Sequence, residues 1–234
     1  MTTRTRVGLL GGTFDPIHNG HLAAARAAQD ALALSQVRFI PSARPPHRPD
    51  SPRASEYHRI EMIRRATAGV AGWEVSDLEL RRDGPSYSFD TLTAFHQQGL
   101  TPLQIFFIIG ADAFAEITTW HRYPEVLSAS HFVVVTRPGF SLETLFERVP
   151  GLPGRLIATA DVDASARPGI VLVESRTPDV SSTEVRRRAA SGDSLADLVP
   201  PEVAGYIEQH QLYRAPTRPS AAPQNDSPTV PSGS

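Results

Sequence analysis

Residues 7–22 constrain this chain more than any other stretch. The apolar run Val7 to Leu10 ends at Gly11-Gly12, a loop holding Asp15-Pro16 follows, and the Ala-rich segment HLAAARAAQDALAL begins at His21. The run is strand-like, the paired glycines allow a tight turn, and Leu22, Ala25 and Gln29 fall on one side of a helix. Strand, glycine turn and helix open a βαβ unit, whose returning helix lays the next strand parallel to the first.

The remainder repeats that alternation. Val37 to Pro41 reads as a second strand, and SARPPHRPDSPRAS, rich in Pro and Arg, as an irregular binding loop. Ser55 caps a helix that carries Ile60 and Ile63 on one face and stops at Gly69, and WEVSDLEL alternates like a half-buried strand. SFDTLTAFHQQG predicts a helix capped by Ser88 or Asp90 and closed by Gly99. The most apolar run, LQIFFIIG, suits a central parallel strand covered on both faces. His131 to Gly139 and Gly169 to Ser175 add strands, with a helical SLETLFERV between them. In SSTEVRRRAASG, Ser181 or Ser182 stands ahead of Glu184 as a capping signature and Gly192 ends the helix; PPEVAGYIEQHQLY makes the last one.

The predicted fold is therefore α/β: a Rossmann-like open, mostly parallel sheet with helices on both faces and a small C-terminal helical portion. One domain spans 1–214, and 215–234 lack the apolar residues to fold, which predicts a disordered tail. Such sheets bind ligands at the carboxyl ends of their strands, where Gly11-Gly12, Gly110 to Asp112 and Ser181 to Thr183 all fall.

A net charge of −2 supplies no global field to attract nucleic acid, so any anion has to be bound locally. The absence of cysteine removes thiol nucleophiles, thiolate metal sites and disulfides, and agrees with a reducing cytoplasm. No run approaches the ~20 apolar residues of a membrane span. All 23 basic residues are arginine, so every cationic role falls to a guanidinium that stays protonated.

The first loop carries neither G-x-G-x-x-G nor a G-K-[ST] ending. With Asn19 as cap, His18 sits just before the helix and His21 in its first turn, where unpaired N–H groups and the helix dipole favour a phosphate. Two imidazoles there can donate to phosphoryl oxygens as charge builds during in-line displacement. A purely structural pair and a metal site are the other readings of two histidines at this spacing. No carboxylate or third histidine stands at ligand spacing to favour the metal.

The run from Thr13 to His21, ending His-x-Gly-His, resembles the signature of the nucleotidyltransferase superfamily, and GGTFDPIHNGHL resembles its form in bacterial nicotinate-nucleotide adenylyltransferases. The short motif alone leaves pantetheine-phosphate adenylyltransferases and cytidylyltransferases open. PPHR, GPSYSFDTL, FIIGADAF with Trp120 downstream, VVVTRPG and VSSTEVRRR resemble the nicotinate family in order and spacing, from about Arg6 to Tyr213. A non-catalytic nucleotide-binding module on the same fold is the rival of another class.

The resemblance implies adenylylation of nicotinic acid mononucleotide by ATP, giving deamido-NAD and pyrophosphate, with Mg²⁺ bound through the ATP phosphates. Soluble small-molecule partners follow, with no nucleic acid or membrane; association with further copies of the chain is left open. By motif match His18 and His21 hold the α- and β-phosphates, and Gly11, Gly12, Thr13 and Phe14 form the first loop. Gly110 and Asp112 meet the ribose and adenosine, Arg137 the adenine edge or phosphates, and Ser181, Ser182, Thr183 and Arg186 the polyphosphate. On the nicotinate side the resemblance implies His47, Arg48, Tyr87, Ser88 and Trp120, the last stacking on the pyridine. Ser88 takes a place where the family commonly has Thr, and Arg48 one where many members have Lys. Arg48 can neutralise charge there but cannot give up a proton.

Overall fold

The computed structural model describes residues 5–46, 51–137, 140–149, 151–176 and 178–214. Its strands are β1 (Val7–Gly12), β2 (Gln36–Pro41), β3 (Trp73–Val75), β4 (Ile105–Gly110), β5 (His131–Thr136) and β6 (Ile170–Glu174). Every neighbouring pair is parallel, in the order β3-β2-β1-β4-β5-β6. Strand order reverses between β1 and β4, so the crevice at their carboxyl ends is where a ligand belongs.

The helices are α1 (Asn19–Leu32), α2 (Glu56–Thr67), α3 (Ser88–Gln97), α4 (Ala111–Phe114), α5 (Leu142–Arg148), α6 (Ser182–Ser191) and α7 (Pro201–Gln209). They cover both faces of the sheet, and the period-2 geometry of a strand decides what each face meets. Phe106 and Ile108 of β4 join one core with Ala25 and Ala28 of α1, Met62 of α2, Val185 of α6 and Val203 of α7. Phe107 and Ile109 join the opposite core with Phe95 of α3, Phe114 of α4 and Leu145 of α5. A strand with two apolar faces reads as an unbroken apolar run, which is why LQIFFIIG stands out. Among the described residues no helix is long and apolar enough to cross a membrane.

Three local expectations are corrected. Asn19 does not cap α1: its side-chain nitrogen donates to the Asp197 carbonyl at 3.1 Å, and His18 takes the cap position with an extended backbone. Neither Ser88 nor Asp90 caps α3; Tyr87 does, Ser88 being the first helical residue. Strand pairing in WEVSDLEL stops at Val75, because the Asp77 side chain ties to Arg81 at 2.8 Å and Leu80 N–H turns back to the Asp77 carbonyl. Other caps fall as predicted. Ser55 accepts from His58 N–H, Ser181 from Glu184 N–H, and Gly192 closes α6 with φ +75.

On α2 the buried side is Arg59, Met62, Ile63 and Ala66, and Ile60 is half-buried at its edge. Arg59 is 1% exposed. A guanidinium there must find acceptors, and it donates to the carbonyls of Thr13 and Ser42, both at 2.8 Å.

Candidate active site

A cavity of about 600 Å³ opens at the carboxyl ends of β1 and β4. Gly11, Gly12, Thr13, His18 and His21 form one wall. Gly110, Asp112 and Trp120 line it from the β4 side, and Ser88 and Arg137 complete the expected residues that reach it.

The histidine wall follows from the start of α1. His18 precedes the first turn, His21 lies three residues later, and the His18 N–H donates to Nδ1 of His21 at 3.2 Å. Acceptance at Nδ1 leaves the ring proton of a neutral His21 on Nε2. The two rings stack with centroids 3.7 Å apart and planes 24° from parallel. The Phe14 ring meets His21 edge-on at 4.9 Å and is itself 1% exposed, so Phe14 backs the histidine instead of lining the cavity. Gly20 gives this stack room, because a Cβ there would lie 3.1 Å from Cε1 and Nδ1 of His18 and the ring would have to give by a few tenths of an ångström. Burial pushes the His18 imidazole down to about 4, which makes it neutral at pH 7. Its Nδ1 has no partner among the described residues.

Several residues implied by resemblance lie beside the cavity and not on it. Ser181 caps α6, Ser182 Oγ donates to the Pro16 carbonyl at 3.0 Å, and Arg186 donates to the Asp15 carbonyl at 2.7 Å and to Thr183 Oγ1 at 3.2 Å. Those contacts fasten α6 to the first loop, while Pro178 and Val180, just before it, line the cavity. Tyr87 stacks on His121, centroids 4.2 Å apart. Arg137 pairs with Asp179 at 2.8 Å with both side chains largely exposed, a contact worth little against water. His47 and Arg48 lie outside the described residues.

Sequence reasoning missed Ser42, Glu79, Ser86 and Phe140, which also line the cavity. Glu79 is 7% exposed and accepts from Thr91 Oγ1 at 2.6 Å; burial raises its pKa against the hydroxyls of Thr91 and Ser86, which favour the charged form. Ser86 Oγ also accepts from the N–H groups of Ala43 and Arg44, at 2.9 and 3.2 Å, holding the loop after β2 to the start of α3. A small polar residue in a loop carries no periodic signal, so nothing in the sequence marks these contacts.

Two stacked imidazoles at a helix start, the His18 ring neutral, facing a half-buried indole across a strand-end crevice, suit a ligand with a phosphate chain and an aromatic ring. Residues 9–188 match the model of the cytidylyltransferase-like family. A Pseudomonas entomophila protein named probable nicotinate-nucleotide adenylyltransferase is 44% identical over 214 residues, 90% of this chain and 95% of that one. The chain belongs to the nicotinate-nucleotide adenylyltransferase family.

A second member of that family, from Pseudomonas syringae pv. tomato, is likewise 44% identical, over 92% of this chain and 97% of its own. The solved Plasmodium falciparum nicotinic acid mononucleotide adenylyltransferase complexed with NaAD superposes with a TM-score of 0.65 at 18% identity, covering 89% of this chain and 97% of the other. At that identity the likeness concerns the fold, and the all-parallel Rossmann-like sheet is the shared part. Family membership makes the chain a nucleotidyltransferase.

Proposed function

We propose that the chain transfers the adenylyl group of ATP to nicotinic acid mononucleotide, giving deamido-NAD and pyrophosphate. The phosphate oxygen of the mononucleotide attacks the α-phosphorus, the bond from that phosphorus to the bridging oxygen breaks, and pyrophosphate leaves. No protein nucleophile enters, which accords with the lack of cysteine, so positioning and electrostatics supply the rate.

The observation that carries this reading is the stacked His18–His21 pair at the start of α1, lining one cavity with Asp112 and Trp120. In it, His18 and His21 hold the α- and β-phosphates, Gly12 shapes the wall beside them, and Gly110 and Asp112 meet the ribose. Arg137, Ser181, Ser182, Thr183 and Arg186 receive the polyphosphate at the α6 side. Trp120 stacks on the pyridine and Ser88, at the start of α3, meets its carboxylate, with His47, Arg48 and Tyr87 near the mononucleotide.

Among the described residues no group of three His, Asp or Glu could hold a metal ion, and the acidic residues lining the cavity are Glu79 and Asp112. That donor set fits Mg²⁺ carried in on the triphosphate, where the ion neutralises phosphate charge. Soluble phosphorylated substrates suit a cytoplasmic enzyme. Residues 1–214 form the catalytic unit in this reading, so a chain ended after Arg214 should keep its turnover and melting temperature; a large loss of either would assign a role to 215–234.

Pyrophosphate release measured side by side with nicotinate mononucleotide, nicotinamide mononucleotide and phosphopantetheine tests the assignment. Nicotinate mononucleotide should be fastest, and a chain that prefers phosphopantetheine, or splits ATP with none of them, refutes it. In the same assay Trp120→Ala should raise KM for the mononucleotide about tenfold and KM for ATP far less. The indole edge rests on Phe107 at 6.0 Å, so a packing residue would instead affect both substrates equally.

A further inference from the structure

Asp15 is held by contacts that none of the roles above uses. Its carboxylate is 4% exposed, inside the loop that leads to His18. Oδ2 accepts from the Arg53 N–H at 2.8 Å, and Oδ1 from the Ala54 N–H at 3.0 Å and from the Tyr213 hydroxyl at 2.9 Å. The Arg186 guanidinium stands 3.9 Å from Oδ2 while donating to the Asp15 carbonyl. On either side, Arg59 donates to the Thr13 carbonyl and Ser182 Oγ to the Pro16 carbonyl. Thr13, Asp15 and Pro16 are thus gripped by Arg53 and Ala54 ahead of α2, Arg59 of α2, Ser182 and Arg186 of α6, and Tyr213 beyond α7.

Tyr213 is the far end of this grip, 198 residues from Asp15 in the chain and four past the end of α7. Its phenol stays protonated, because burial and the Asp15 charge both raise its pKa. An ionised carboxylate that accepts several hydrogen bonds holds its backbone in one place, and removal of a charge-assisted bond lets that backbone lean.

We propose that Tyr213 is a positioning residue for adenylyl transfer: by bonding Asp15 Oδ1 its hydroxyl latches the loop that sets His18 against His21, so the segment after α7 completes the phosphate site from behind. This rests on the adenylyl-transfer reading. Because Tyr213 does not line the cavity, its loss should act on the geometry of the chemical step and leave substrate binding nearly intact.

The test is Tyr213→Phe, which removes one oxygen and keeps the ring in place. Its kcat should fall about tenfold while KM for ATP and for the mononucleotide stay within about twofold. In histidine-resolved NMR the His18 midpoint, held near 4 in the unmodified chain, should move toward 6.5 as the loop loosens and water reaches the ring. A folded variant with an unmoved His18 midpoint and an unaltered kcat overturns the latch. If the unmodified chain releases no pyrophosphate at all, the adenylyl-transfer reading fails instead, and the His18 midpoint alone then decides whether Tyr213 orders the loop.

Discussion

His21→Ala should lower turnover by about 10² or more and weaken ATP binding much less. The reason lies in where charge develops. In the ground state the triphosphate is already solvated and its charge is spread, so one N–H contributes little to affinity; as the bond to pyrophosphate breaks, charge builds near the imidazole, and a fixed donor there costs no reorganisation. His21 is fixed three times over, by the His18 N–H at its Nδ1, by the stacked His18 ring and by the edge of Phe14. Steady-state pyrophosphate release with ATP titration separates kcat from KM, and near-normal turnover would remove His21 from the chemistry. A KM effect without a kcat effect would make it a binding group only.

What the sequence discloses here, and what it hides, follows from the range of the interactions. The sheet is legible because a strand such as Ile105–Gly110, apolar on both faces, can be nothing else in a chain of this length, and because Ser55, Ser181 and Gly192 cap by bonds that span only a few residues. The histidine wall is legible for the same reason, its lining residues falling in the one stretch from Gly11 to His21. What fails is the contact at long range. Asn19 looks like the better cap, yet a carbonyl 178 residues away claims its side chain. The SSTEVR segment shows its cap at Ser181, and nothing in it shows that Ser182 bonds the Pro16 carbonyl and Arg186 the Asp15 carbonyl, more than 160 residues away. Glu79 and Ser86, both in the connection from β3 to α3, reach the cavity beside the loop after β2 that Ser86 holds, and no local pattern encodes that convergence. Arg59 is a different kind of miss. Its position with Met62, Ile63 and Ala66 on one helical stripe was readable at i, i+3, i+4 and i+7, and only its charge suggests the surface.

That buried arginine predicts the largest stability effect. Arg59→Met keeps the length and volume of the side chain, so it removes hydrogen bonds without opening a large cavity. The Ser42 carbonyl, which is buried, and the part-buried Thr13 carbonyl lose their 2.8 Å donor, and the Asp15 charge loses a favourable neighbour. Unsatisfied buried groups of this kind cost about 1–3 kcal/mol each, so about 3 kcal/mol in total is expected. For a chain of this size that corresponds to a melting temperature lower by roughly 6–12 °C. The same two carbonyls belong to Thr13 and Ser42, which line the cavity from different loops, so kcat should drop as well, even far below the melting transition. Calorimetry and pyrophosphate release on the same preparation check both halves. A melting temperature within about 2 °C of the unmodified chain would mean that water replaces the guanidinium at both carbonyls. Lower stability with unaltered kcat would mean that the two loops keep their places without it, the grip on the first loop coming from Asp15 and its partners and from Ser182.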